Sequence, residues 1–342
     1  MRPPRPGRLL LVGSVLVDIR MAVPALPERG GDRLADRSDV QTGGGFNVLI
    51  AAVRGGLPAA LAGRHGAGPF GRQVRRDLDD AGIPVLLDAD PAGDTGFSVT
   101  LIEPDGERTF VTSPGAESVL TADLLAPVVA GPDDAVYVSG YDLCYPVSGP
   151  AIAGWLSGLP ESATLVFDPG PVLDEIPADL LDAVLARTDV LTLNQRETAL
   201  LAHTDDPAEA ARTLAARLAG GGVAGAGPRH GPDPAGLPRA GLPRDGFIVL
   251  RRGPEPSVAV RTTQPDRLLR VPVPAVTAVD TTGAGDTHTG VLIAALHAGH
   301  DWPEALRRAG VGAAISVTRD GSATAPTTAD IDRFDLPAAP VR

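Results

Sequence analysis

The chain contains no lysine: all 30 of its Lys and Arg residues are arginine. That absence excludes several chemistries at once. A Walker phosphate loop needs its lysine, a protein-kinase site needs a strand lysine, and Schiff-base catalysis needs an amine nucleophile. Any phosphate must therefore be handled by arginine, backbone N–H groups or metal. Cys144 is the single cysteine. An internal disulfide and a cysteine-built zinc cluster are thus ruled out, which fits a reducing, cytoplasmic setting, and Cys144 reads as a small buried hydrophobe. Aromatic residues make up only 4% of a chain that is 43% hydrophobic, so the core must be aliphatic. No apolar run approaches the ~20 residues of a membrane span. The basic start and the apolar stretch 9–17 imitate a secretion signal, but Gly13 and Ser14 interrupt it and no small-x-small cleavage site follows. A first buried strand is the better reading. A net charge of −12 argues against nucleic acid or an anionic membrane as partner.

What is present has the rhythm of an α/β protein. At 342 residues the chain can hold one large domain or two ordinary ones. Short aliphatic runs predict strands at 9–12, 59–62, 135–139, 164–167, 190–193 and 247–250, with helical patterns between them, among them 46–54 and 72–81. Such alternation implies a mainly parallel sheet covered on both faces. The stretch 96–112 differs. Phe97, Val99 and Leu101 alternate with small or polar residues, and Asp105-Gly106 is a two-residue hairpin signal. Residues 220–246 are rich in Gly, Pro and Ala without periodicity and read as a flexible surface loop.

The most informative segment is Asp280-Thr281-Thr282-Gly283-Ala284-Gly285-Asp286, followed at once by an apolar helical pattern. A helix that starts in a glycine-rich turn offers free N–H groups and the positive end of its dipole to an anion, phosphate above all. A carboxylate beside that anion supplies a base, and the pair is the minimum kit for phosphorylating a hydroxyl. Asp280 and Asp286 cannot share a helix face and need different roles. Asn194 and Glu197 stand one helical turn apart after a strand; they could organise a hydrated Mg²⁺ or form a capping box, and both can hold together. Arg251 and Arg252 end a strand just before Gly253, and either grip phosphate or form a surface pair. His288 could tune Asp286 or simply be packed. Gly66 to Gly71 fits G-x-G-x-x-G, but it lies far from the first strand and reads as a plain glycine turn.

In this order, the motifs resemble the ribokinase-like (PfkB) carbohydrate and nucleoside kinases over about residues 9 to 335. Asp280 to Asp286 is similar to that family's carboxy-terminal signature, Gly43-Gly44-Gly45-Phe46-Asn47 to its amino-terminal one, and Asn194 to Glu197 to its Asn-x-x-Glu motif. The resemblance implies a three-layer α/β/α sandwich in a single kinase domain, 1–342, with a small β-sheet lid from about 15–42 and 96–112. It implies ATP-dependent phosphorylation of a sugar hydroxymethyl group. Asp286 would be the base, and Gly283, Ala284 and Gly285 the anion hole. Asp18, Gly43, Gly44 and Asn47 would contact the sugar. Asn194 and Glu197 would support Mg²⁺ through water. Arg251 and Gly253 would meet the nucleotide phosphates, and Gly310 and Ala313 the adenine. Asp280 and Thr282, with carbonyls near Val317 and Asp320, would form a monovalent-cation (K⁺) site. The resemblance also allows a homodimer paired through the lid.

Several departures bear on the substrate. Phe46 would narrow or reshape the sugar pocket, Arg251 stands where many relatives have threonine, and Gly66-Ala67-Gly68 lacks an acidic residue common there. Asp168-Pro169-Gly170 lacks the Asn and Arg of sugar-acid and some fructose kinases. A phosphorylated acceptor would need a basic cluster in the lid pocket, with Arg20, Arg33 and Arg108 as candidates. The rival readings are a nucleoside kinase of the same fold, disfavoured by the few aromatics, and a non-catalytic sugar-binding sensor, disfavoured by the intact base and anion hole.

Overall fold

A computed structural model of the chain describes residues 7–104, 106–220 and 246–334. Most of the Gly/Pro-rich stretch 220–246, and Asp105 of the hairpin signal, lie outside the described residues. The strands are β1 (Leu9–Val12), β2 (Val15–Ala22), β3 (Arg37–Gly44), β4 (Ala59–Ala62), β5 (Phe97–Ile102), β6 (Arg108–Ser113), β7 (Ala135–Ser139), β8 (Thr164–Asp168), β9 (Val190–Asn194), β10 (Phe247–Arg251), β11 (Ser257–Arg261) and β12 (Leu269–Val271). Eight of them form one sheet in the order β12-β11-β10-β9-β8-β7-β1-β4. Pairing is parallel from β4 through β10, while β11 and β12 return antiparallel at one edge. That edge was not anticipated from the sequence.

The sheet is buried on both faces because its strands are aliphatic throughout. Along β1, Leu9 and Leu11 enter one core with the helices Phe46–Arg54, Ala284–His297 and Trp302–Val317. Leu10 and Val12 enter the other, with Ser148–Ser157, Ala178–Arg187 and Pro207–Gly220. This period-2 division of apolar side chains produces a three-layer α/β/α sandwich. The helix Ala284–His297 is buried nearly all round, from Thr287 to Leu296, because it lies between two neighbours. Gly290 permits that approach: a Cβ there would fall 2.6 Å from Ala51 Cβ.

The remaining four strands make a separate small sheet, β3-β2-β5-β6. β2 follows β1 after Gly13 and Ser14, so this sheet rises directly off the carboxyl edge of the large one. Its strands alternate in burial where the strands of the large sheet do not; β6 is almost wholly exposed. It is the lid anticipated from 15–42 and 96–112.

Candidate active site

The carboxyl ends of the parallel strands, the Asp280–Asp286 loop and the inner face of the small sheet enclose a cavity of about 310 Å³. Ligands of open α/β sheets lie at this edge, where strands end and helices begin. Thr281 through Asp286 all line it, as do Asp18, Gly44, Asn47, Asn194, Glu197 and Arg251. The segments brought together are thus far apart in sequence.

At the head of the helix Ala284–His297, Gly283 takes a left-handed conformation, φ +72°, that favours glycine, and a Cβ there would meet the Ser322 carbonyl at 2.5 Å. The Ala284 N–H turns back to the Thr281 carbonyl at 3.2 Å, so of the three residues expected to hold an anion it is the one already engaged. Asp286, in the first helical turn, accepts a hydrogen bond from Asn47 Nδ2 at 3.0 Å. Burial pushes its carboxyl up to about 6, against the lowering effect of that hydrogen bond. Asn47 therefore orients the carboxylate, and its own buried Oδ1 has no protein partner.

Asp18 stands across the cavity on β2. Burial first, and then the charge of Asp286, raise it to about 7. Gly43 does not line the cavity; it lets Asp18 lie against β3, since a Cβ there would sit 1.9 Å from Asp18 Oδ2.

The two arginines that end β10 separate in role. Arg252 pairs with exposed Glu255 at 3.0 Å. Arg251 turns inward: Nη1 and Nη2 lie 2.7 and 3.1 Å from the two oxygens of Asp168, and Nη2 lies 3.4 Å from Glu197 Oε2. Its guanidinium lies under the anion loop, where a Cβ on Gly285 would fall 2.7 Å from Nη1. Asp168 was not anticipated as a site residue, because its neighbours Pro169 and Gly170 carry no polar side chains. Burial, then the neighbouring Asp168 charge, raise Glu197 to about 7. Asn194 and Glu197 form the full capping box: Glu197 N–H donates to Asn194 Oδ1 at 2.8 Å, and Asn194 N–H donates to Glu197 Oε2 at 2.7 Å.

Asp142 is a second unanticipated group. It lines the cavity beneath Gly13, 2% exposed, with burial raising it to about 7 and Oδ1 without a protein partner. All three tyrosines of the chain, Tyr137, Tyr141 and Tyr145, also line the cavity, with Phe110 from the lid. Scarce in the sequence, aromatics are concentrated in space.

Other predicted residues lie elsewhere. Gly253 lines a shallow depression beside the cavity with Asn194, Arg196, Asp205 and Arg251. Gly310 and Ala313 line neither; Gly310 is packed 3.5 Å (as Cβ) from Val273. Arg33 is exposed, and Arg20 and Arg108 are spent on Asp280 and its neighbours, so these three supply no basic cluster to the cavity. The donors expected to hold a monovalent cation are bonded to N–H groups: Asp280 Oδ1 accepts from Thr282 N–H at 2.9 Å, and the Val317 carbonyl from Val279 and Asp280 N–H at 2.7 and 3.1 Å. His288 is packed, 3.5 Å from Ser257 Oγ, with burial lowering it to about 3. In the G-x-G-x-x-G turn, the Asp94 carboxylate takes the Phe70 and Gly71 N–H groups at 3.1 and 2.8 Å. The helix start there is filled from within by Asp94.

Comparison with known proteins agrees with this geometry. The pfkB family carbohydrate kinase profile matches residues 7–222 and 239–329. An uncharacterized sugar kinase, YegV, of Escherichia coli (strain K12) is 28% identical over 324 residues, covering 94% of this chain and 92% of its own. An ATP-dependent ribose-1-phosphate kinase of Halopiger xanaduensis is 28% identical over 330 residues, covering 96% and 97%. Among solved structures, a putative ribokinase II of E. coli in complex with ATP and Mg²⁺ superposes with a TM-score of 0.72 at 19% identity, covering 95% of this chain and 98% of that one.

Proposed function

The chain belongs to the pfkB family of carbohydrate kinases and is a ribokinase-like sugar kinase, and from that premise we propose how its own residues move the phosphoryl group. An acceptor hydroxymethyl group enters between the lid and the Asp280–Asp286 loop, oriented by Asp18, Gly44 and the free Oδ1 of Asn47. Asp286 takes the hydroxyl proton as the oxygen attacks the γ-phosphorus of ATP. The new O–P bond forms as the bond to the β-phosphate oxygen breaks, leaving ADP. The Gly283 and Gly285 amides and the Arg251 guanidinium lie where charge gathers on the transferring group. The lid keeps water from competing as acceptor. The observation that carries this reading is Asp286 itself: a carboxylate raised to about 6, held by Asn47, in the wall of the cavity at a helix start.

Among the described residues no cluster of three acids, His or Cys could chelate a metal directly. Buried Glu197 and Asp168 nonetheless set two carboxyl groups against the one Arg251 guanidinium beside the cavity, which suits a cation arriving on the nucleotide. Mg²⁺ bound with ATP would neutralise phosphate oxygens, held through water by Asn194 and Glu197. The depression at Gly253, which shares Asn194 and Arg251 with the cavity, supports entry of the nucleotide from that side. Residues Asp280, Thr282, Val317 and Asp320 do not fit K⁺, because oxygens of Asp280, Val317 and Asp320 already face N–H and guanidinium groups.

One observation favours a second reading, a nucleoside acceptor: Phe110 and three tyrosines could flank a base that Asp142 recognises. The exposed outer strand β6, with Phe110 and Val111 54% and 66% exposed, supports a homodimer paired through the lid. A cytoplasmic site of action fits the single half-buried thiol; among the described residues no helix is long and apolar enough to cross a membrane. The test is ADP formation from ATP with ribose, fructose, adenosine and pseudouridine, with binding measured by calorimetry in parallel. Turnover of a free sugar supports the proposal; preference for a nucleoside moves it to the second reading. Affinity without turnover would show a sensor.

A further inference from the structure

Arg20 occupies a position that changes what the Asp280 end of the loop can bind. It extends from β2 with a side chain only 3% exposed. Its Nη2 lies 3.0 Å from Asp280 Oδ2 and 2.6 Å from Asp320 Oδ1, and its Nη1 lies 3.5 Å from Asp39 Oδ1. Asp280 Oδ2 also accepts the Gly321 N–H at 3.2 Å, and the second oxygen of Asp320 meets Arg37 at 2.8 Å. From β6, Arg108 donates to the Thr281 and Thr282 hydroxyls and stands 3.8 Å from Asp280 Oδ1. An alkali cation needs a shell of oxygen lone pairs. Here those of Asp280 and Val317 face N–H donors, and a fixed positive charge already stands beside them; a second cation would meet like charge in buried surroundings.

We propose that Arg20 is this kinase's built-in replacement for an alkali cation. It is a positioning residue: it neutralises Asp280 and so holds Thr281 to Gly283 in the shape that aims the anion-binding amides. The charge is covalently tethered to the lid, so turnover is independent of K⁺ and Na⁺. Guanidinium suits this place better than ammonium because its planar fork reaches several carboxylates at once. The proposal rests on the carbohydrate-kinase assignment, but its main test does not require the acceptor to be known.

The full chain is exchanged into tetramethylammonium buffer and its thermal unfolding followed as KCl, NaCl or CsCl replaces that salt at constant ionic strength. No cation-specific stabilisation is expected. Turnover with the accepted sugar is expected to stay within about twofold across the salts. In Arg20→Met, kcat should fall about tenfold or more with little change in acceptor KM, and K⁺ or free guanidinium should restore part of it. Arg20→Lys keeps the charge and should remain cation-independent. Saturable stabilisation or activation of the wild-type protein by K⁺ over tetramethylammonium overturns the proposal, as does wild-type turnover by Arg20→Met. Should Arg20→Met fail to fold, the wild-type salt series decides alone. Should no acceptor be phosphorylated, the kinase reading fails separately while the unfolding series still decides the cation question.

Discussion

Asp280 and Asp286 are the two ends of one seven-residue loop, and their surroundings are opposite. Asp280 is surrounded by donors. Burial alone would raise it, but the Thr282 and Gly321 amides and the Arg20 charge hold it below the ordinary carboxylate range. Asp286 has one side-chain donor, Asn47, and burial leaves it raised to about 6. A carboxylate that must keep a loop in shape is saturated; one that must take a proton is left underbonded and close to the pH at which it works. The same residue type, six positions apart, is saturated with donors in one place and left with a raised proton affinity in the other by what packs around it, which suits the base role proposed for Asp286.

The sharpest way to break this contrast is Asp286→Asn. Loss of the base should lower kcat by about a thousandfold with acceptor binding nearly unchanged, measured by ADP release and calorimetry. If turnover survives, Asp286 is not the base and the distinction fails. Next in size is Arg251→Met, which removes the guanidinium beneath Gly285 and leaves Asp168 and Glu197 without their shared partner. A loss of about a hundredfold in kcat is expected, with the variant's fold checked by circular dichroism. Asp280→Asn should act on the other end chiefly through stability. Arg20 keeps Asp39 and Asp320, so the loss in chemical denaturation should stay below the ~3–5 kcal/mol of a fully broken buried pair. The smallest effect is on pH dependence. The active form of Asp286 is ionised, so kcat should fall as pH drops through about 6. Asn47 donates a hydrogen bond that favours the ionised form; Asn47→Leu should therefore move that acid limb upward. A limb that stays put would separate Asn47 from the base.

Residues that act with close sequence neighbours are legible from the amino-acid order itself. Strands β4 and β7 and the helix Phe46–Arg54 lie where aliphatic runs place them, because burial on both faces leaves an uninterrupted apolar signal. The Asp280–Asp286 loop could be read because its glycines, its acids and its helix are adjacent. Contacts made across strands could not. Arg251, Asp168 and Glu197 meet only because β8, β9 and β10 are neighbours in the sheet, and nothing local marks Asp168 as a partner. Asp142 was hidden for the same reason, in a five-residue helix with no motif. β11 and β12 were missed because Gly253, Pro254 and Pro256 suggest a loop, and β12 is only three residues long. The arginines of the lid looked like a basic pocket in sequence. Their carboxylate partners, Asp280 and Asp320 above all, lie 260 and 300 residues from Arg20, and only the fold pairs them.

Cys144 ends the short helix that carries Tyr141 and Asp142 into the cavity wall, and Tyr145 follows it. Burial raises its thiol to about 11, so it stays protonated near neutrality and resists casual alkylation. It is also the chain's one sulfhydryl. A fluorophore attached there under alkaline conditions would be a single reporter one helical turn from Tyr141 in the cavity wall, so a library of candidate sugars could be screened by emission alone, before any of them is known to react.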